Sequence, residues 1–454
     1  MASRRRLQSI ALCVALAPVA YIPTHAWAII LEEALARAYE TNPTLQASRA
    51  ELRATDEQIA QAKSLRRPTI DVTGEAGTRS VDNDFNSGTD GTGNVALNLN
   101  QPIYRGGSID ASISQADNVI WAQRATLLSV EQQVLLRGVT AYSDVLRDQA
   151  VLNLTINNVE VLTRQLEATR TRFEVGELTK TDVAQSESRL AGAYAEQIAA
   201  EGLLTTSRAI YREVIGEDPV DLETAKPPES LPSSEAETVA ESESNPDLIA
   251  AKYLEQAARD GIDVVFGELL PSVDLVGRLQ SGDDDLTRDG SFENSAAVLL
   301  QVRIPLYQAG SVGSRVRQSK QVVSQRLQQV QEQRRSAEQQ ATSSWRSLVT
   351  ARAQIESFKA QVEATRVALE GVQEEANVGA RTILDVLDAQ QEYLLAQVNL
   401  VRALRDEVVA AYQVLFSIGR LTASGLGLPA PRYDVDKHYD SVKDKFWGTD
   451  INSE

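Results

Sequence analysis

The chain lacks most of the side chains that enzymes use. Of 454 residues one is cysteine, Cys13, and two are histidine, His25 and His438. Without Cys13 there is no thiolate to ligate a metal or attack a substrate, and no disulfide to form. Two histidines, one at each end, cannot furnish a His-based triad or a His-rich metal site. Beyond the N-terminus no apolar run approaches the ~20 residues that a membrane-spanning helix needs. Basic charge is also scarce, with 45 Lys and Arg against 63 Asp and Glu. A net charge of −18 is wrong for a nucleic-acid partner. No motif for a cofactor or a metal is present.

The N-terminus reads as an export signal, residues 1–28. Arg4, Arg5 and Arg6 precede an apolar stretch from Leu7 to about Ala20, and His25-Ala26-Trp27-Ala28 is a small-x-small cleavage site. Cleavage there starts the mature chain at Ile29, removes the only cysteine, and takes the formal charge from −18 to −21 by loss of the three arginines. Leu12 before Cys13 speaks against a lipid anchor.

What is present is a repeat. At an offset of 203, Asn42-Pro43 pairs with Asn245-Pro246, Pro68 with Pro271, Asp71 with Asp274 and Gly74 with Gly277. The same offset pairs Pro102-Ile103-Tyr104 with Pro305-Leu306-Tyr307, Ser108 with Ser311, Val175-Gly176 with Val378-Gly379, Asp182-Val183 with Asp385-Val386, and Ile215-Gly216 with Ile418-Gly419. This divides the chain into two units, 29–216 and 245–428. A Pro-, Glu- and Ser-rich linker, 217–244, joins them, and a polar tail, 429–454, is expected to be peripheral or disordered.

Each unit opens on an Asn-Pro helix start and should stop before Pro68 or Pro271. Two strands follow. Val95, Leu97 and Leu99 alternate with polar or small residues, as do Val273, Leu275 and Leu279; Val298, Leu300, Val302 and Ile304 keep the same period. Strands of about ten residues suit a transmembrane β-barrel or a half-buried soluble sheet. Polar segments Ser80 to Gly93 and Ser281 to Asn294 read as the intervening loops. Asp82, Asp84 and Asn86 have the spacing of a calcium loop, but Gly88 falls one place late and no glutamate closes it. These residues, like Asp283-Asp284-Asp285, read as solvated loop tips.

The longest element runs without proline from Ser311 to Ala376. Val316, Val323, Val330, Ala337, Ser344, Ala351, Phe358, Thr365 and Val372 recur every seven residues, a coiled-coil pattern. Glycine turns at Val175-Gly176 and Val378-Gly379 then lead into return helices, giving two helical hairpins. In the second return helix, Leu387, Leu394, Val401, Val408 and Leu415 form one seam, and Ala389, Ala396, Ala403, Ala410 and Ser417 another. A two-residue shift turns a helix by about 200°, so this helix is expected to pack between two neighbours. Four strands per chain cannot enclose a channel, and open edges cannot face lipid. A membrane reading therefore requires an oligomer.

The stretch from Arg172 to Val183, with Val175-Gly176-Glu177-Leu178-Thr179-Lys180-Thr181-Asp182, resembles the first hairpin of TolC-family outer-membrane factors. The stretch from Asn377 to Ala389 resembles the second, and Pro102-Ile103-Tyr104-Arg105-Gly106-Gly107 their strand-to-helix junction. The likeness spans nearly all of residues 29 to 428. It implies an α+β membrane protein: a homotrimer with a twelve-stranded β-barrel in outer-membrane lipid, continuous with a long twelve-helix periplasmic α-barrel. The implied partners are a periplasmic adaptor (membrane fusion protein) and an inner-membrane ABC or RND-type transporter. The implied function is export of secreted proteins or small toxic compounds.

By the same resemblance Asp385 and Asp388 line the periplasmic aperture and set its selectivity. Arg381 latches it shut against Thr181 and Asp182, and Val175, Gly176, Val378 and Gly379 form the tips on which the adaptor docks. Asp385 and Asp388 lie three apart, on one helix face, and crowded carboxylates are expected to raise some of their pKa values. The repeat images of Arg381 and Asp388 are Leu178 and Gln185, so the two hairpins differ where the gate is expected. Ala376 stands where the family often has a second latch residue, a tyrosine. The competing readings are a secreted or surface coiled-coil structural protein, a carboxylate-based enzyme, and a dedicated drug- or metal-efflux factor.

Overall fold

The structure, a computed structural model, describes residues 29–83, 86–283 and 293–451. The expected signal segment 1–28 lies outside them, as do Asp84 and residues 284–292 of the acidic segments. Two short helices, α1 (Leu31–Thr41) and α2 (Pro43–Ser64), lead into strands β1 (Thr69–Asn83) and β2 (Asn86–Arg105). The long helix α3 (Ser108–Glu174) and its return α4 (Lys180–Ile215) follow. After the short α5 (Glu235–Glu241), the series recurs as α6 (Pro246–Gly267), β3 (Ser272–Asp283), β4 (Glu293–Arg303), α7 (Ser311–Asn377) and α8 (Ile383–Ser417). Helix α9 (Val435–Val442) lies in the tail.

The element boundaries fall where the repeated residues require them. Asn42 caps α2 by accepting from the Thr44 amide at 3.0 Å, and Asn245 caps α6 by accepting from Asp247 at 2.9 Å. Each cap also donates to the end of its own unit's return helix, Asn42 to the Val214 carbonyl and Asn245 to that of Ser417. The turn from β2 into α3 runs through Gly106 and Gly107, both left-handed. A Cβ on Gly106 would lie 2.3 Å from the Gly267 carbonyl oxygen, so only glycine lets α6 approach this turn.

Helices α3 and α7 each run 67 residues, about 100 Å. Both expected seams of α8 are buried at four of five positions, Leu387, Leu394, Val408 and Leu415 on one side and Ala396, Ala403, Ala410 and Ser417 on the other, with Val401 and Ala389 partly buried. Helix α8 packs against both α7 and α3, with Ser344 donating to Ser417 at 3.2 Å in the close seam. The main core joins α1, α2, α3 and the C-terminal halves of α4 and α8. No helix among the described residues is long and apolar enough to cross a membrane.

Two expectations need correction. Residues 80–83 and 86–93 are strand rather than loop: β1 and β2 pair without a break from Thr69↔Asn100 to Asn83↔Asn86. Ser281–Asp283 and Glu293–Asn294 likewise extend β3 and β4. Glycine, threonine and asparagine obscure the alternation there, while the backbone ladder is indifferent to side chains. The tail is peripheral, with its described residues held on α2 and α3 by the His438–Asp56 contact at 3.1 Å, the Tyr439–Asp117 hydrogen bond at 2.9 Å and the Arg124–Asp436 ion pair at 2.7 Å. Finally, α1 precedes the Asn-Pro start as a separate helix with its own buried face.

Candidate functional site: a two-faced sheet and two hairpin turns

The four strands form one antiparallel sheet in chain order, β1-β2-β3-β4. Residues opposite one another share a face, so the register sorts every side chain. One row reads Ile70, Leu99, Gly277, Val298, and the next Val72, Leu97, Leu279, Ala296. Leu275 faces Leu300, and Val273 faces Val302. The other face carries Asp71, Asn98, Arg278, Ala297 and then Thr73, Ala96, Gln280, Ser295. Asn98 donates to Asp71 at 2.9 Å on it, and Arg105 pairs with Asp274 at 2.8 Å. Val276 and Leu299 are the large apolar side chains on it.

The apolar face is uncovered by its own chain, since Ile70, Val72, Val298, Leu300 and Val302 are all exposed. At ~3.4 Å per residue and a tilt near 40°, the β3–β4 ladder rises roughly 26 Å, the height of a barrel's apolar band. Among the described residues β1 pairs only with β2, and β4 only with β3. The outer edge of each is therefore open, which lipid does not tolerate.

At the far end of the long helices, both hairpins turn in the same way. Glu177 donates to the Arg172 carbonyl and Gly176 to that of Phe173, and Ala380 and Gly379 repeat this with Glu375 and Ala376. These are Schellman closures around left-handed glycines, φ +83° at Gly176 and +79° at Gly379. The space beside each glycine is empty, so backbone angle rather than room requires it. Val175 and Val378 project from the turns, Val378 with 81% of its surface exposed.

Each return helix then begins with a capping box. Thr179 accepts from the Asp182 amide while the Asp182 Oδ2 accepts from the Thr179 amide at 2.9 Å and hydroxyl at 2.7 Å. Thr382 and Asp385 do the same, with Oδ2 again taking both bonds. The Thr-x-x-Asp spacing was a readable signal for these pairs.

The structure gives the sequence-expected residues other partners within one chain. Arg381 pairs with Glu375 at 2.8 Å, not with Thr181 or Asp182; Thr181 is exposed and Asp182 holds Thr179. The shared turn explains this, because the Schellman closure places Arg381 back over Glu375 on its own hairpin. Asp385 and Asp388 do lie on one stretch of α8, flanking Leu387. With Ile383, Leu387 packs on Val159, Leu162 and Ala193 of the first hairpin.

Asp388 pairs with Arg189 of α4, an ion pair that ties the two hairpins together. Sequence reading missed Arg189: the partners are 199 residues apart and no periodicity links them. Within the chain the Asp385 carboxyl is governed by its own capping box. Hydrogen bonds from the Thr382 amide, then its hydroxyl, hold the carboxyl below its usual 3.8. Asp182 is likewise held down by Thr179.

A sequence profile described as outer membrane efflux protein matches residues 34–217 and 240–420. The chain belongs to the outer membrane efflux protein family. The match breaks over part of the linker and resumes with the second series of elements. Within the family, the chain is 35% identical over 421 residues to the outer membrane efflux protein BepC of Brucella suis, covering 92% of this chain and 91% of that one. It is 27% identical over 405 residues to the outer membrane protein TolC of Vibrio cholerae, covering 87% and 92%. In fold it is similar to the Campylobacter jejuni CmeC outer membrane channel, with a TM-score of 0.78 at 16% identity, covering 91% and 89%. The TolC-family resemblance read from the hairpins therefore holds. The outer membrane efflux protein family places the chain in the outer membrane, extending into the periplasm, as a channel of the efflux or secretion kind.

Proposed function

We propose that this chain is one subunit of a homotrimeric duct that passes cargo from an inner-membrane pump across the periplasm and outer membrane. One observation carries the reading: a register that builds one apolar and one polar face on a sheet whose two edges are both open. Joining β1 of one copy to β4 of the next removes the edges. Three copies then give a twelve-stranded barrel with lipid outside and a polar lumen, a size that leaves a channel. The helices close in the same way, as a twelve-helix periplasmic α-barrel. The exposed tips at Val175, Gly176, Val378 and Gly379 meet a periplasmic adaptor, which links the duct to an ABC or RND-type transporter. Resemblance to an efflux relative at 35% identity over 92% of the chain favours small toxic compounds as cargo, with secreted proteins as the second class.

The second hairpin closes the periplasmic end. Asp385 and Asp388 from each copy set a ring of carboxylates that prefers cations. Since Arg381 meets Glu375 in its own chain, a latch to Thr181 and Asp182 runs between subunits. Both capping bonds of Asp182 use Oδ2, which leaves Oδ1 available to such a partner. In planar bilayers Arg381→Ser raises single-channel conductance; an unchanged conductance sinks the latch.

A further inference from the structure

The tail runs alongside α2 toward the sheet, and its contacts climb in step: His438 at Asp56, Asp444 at Lys63 (2.9 Å), then Lys445 and Phe446 at Arg67. Arg67 donates to the Lys445 carbonyl at 2.7 Å, and its guanidinium lies 3.8 Å from the centre of the Phe446 ring. One proline separates Arg67 from Thr69, the first residue of β1, and Ile70 begins the apolar face. Phe446 is therefore fixed at the lower margin of the apolar band. Beyond it the chain presents Trp447 and Ile451 with 93% and 91% of their surface exposed, and Phe446 itself is 78% exposed. Tyr104, Leu306 and Tyr307, at or just beyond the same ends of β2 and β4, are exposed as well.

Aromatic and large aliphatic side chains held at this level, with the polar edges of Trp447, Tyr104 and Tyr307 among them, match the aromatic girdle at a bilayer surface. We propose that residues 445–451 are a lipid-facing foot: Phe446, Trp447 and Ile451 enter the headgroup–acyl boundary of the inner leaflet, tying α2 and α3 to the bilayer through the tail. The occupant is a phospholipid surface, because the foot is continuous with the sheet's apolar face. It rests on the reading of that face as the lipid-facing one.

The test uses the full chain in nanodiscs of phosphatidylethanolamine and phosphatidylglycerol whose acyl chains are brominated near the headgroup. After Ile29 the tryptophans are Trp121, Trp345 and Trp447, and Trp121 lies about 20 Å along α3 from the sheet. Bromine should quench about a third of the emission of the native chain, by contact with interfacial Trp447, and none in Trp447→Phe. A Val298→Trp change in the Trp447→Phe background, in nanodiscs brominated instead near the acyl-chain ends, reports on the mid-membrane sheet. If that tryptophan is quenched and Trp447 is not, the foot is refuted and the membrane sheet stands. If neither is quenched, the sheet reading fails and takes the foot with it. Blue-shifted but unquenched Trp447 means that a neighbouring copy covers the segment, which also overturns the foot.

Discussion

Val298 is the sixth of eleven residues in β4 and sits in the row Ile70, Leu99, Gly277, Val298. Its neighbour Ala297 is at nearly the same depth but in the polar row Asp71, Asn98, Arg278. Arginine at either position adds the same charge, so the pair isolates the face. On a lipid face near mid-membrane, arginine costs about 2–4 kcal/mol, whereas a lumen position hydrates it at a cost below about 1 kcal/mol. For three copies unfolding together, Val298→Arg loses roughly 6–12 kcal/mol, and refolding yield should collapse. The assay is urea unfolding of chain refolded into phospholipid vesicles, read by tryptophan emission. Val298→Arg should lower the midpoint sharply, and Ala297→Arg, which faces Arg278, should lower it only slightly. Equal losses, or a larger loss at Ala297, would refute the face assignment and with it the barrel.

The Arg189–Asp388 pair is about half exposed, so it contributes no more than about 1 kcal/mol, weakened by salt. Removing it with Arg189→Ala should raise the open probability of the channel up to about five-fold in low salt and less in high salt; an effect that is independent of salt contradicts an electrostatic tie. In the tail, Asp56 has no exposed surface, and burial raises its carboxyl above 3.8 despite His438 and Arg124, with Glu57 acting in the same direction as burial. A raised acid contributes stability that is fully present below 3.8 and lost as pH rises through its folded-state value. Asp56→Asn should therefore gain thermal stability over the native chain at pH 7, and the gap should narrow on acidification; a gap constant with pH would count against it.

Much of this architecture was legible because it is periodic or punctuated. The 203-residue offset met both Asn caps, both glycine turns and both long helices, since caps and turns need particular residues whatever their surroundings. The seams of α8 were readable because heptads report neighbours on each side. Strand extension through Ser80 and Gly93 was hidden, because ladder hydrogen bonds come from backbone and the side chains there are small and polar. The partners of Arg381 and Asp388 were hidden for another reason. Their type and position suggested a gate, but which carboxylate meets which guanidinium depends on how the hairpins fold back. No local pattern encodes the contact of Arg189 with Asp388 across 199 residues.

The central claim is that this chain, which cannot close a barrel alone, closes one with copies of itself. The most direct measurement is to purify the chain from outer membranes, determine its mass in detergent, and add that species to a planar bilayer. A trimer that opens discrete, cation-preferring channels is the predicted result. A monomer, or a trimer that leaves the bilayer silent even with Arg381→Ser, would contradict it.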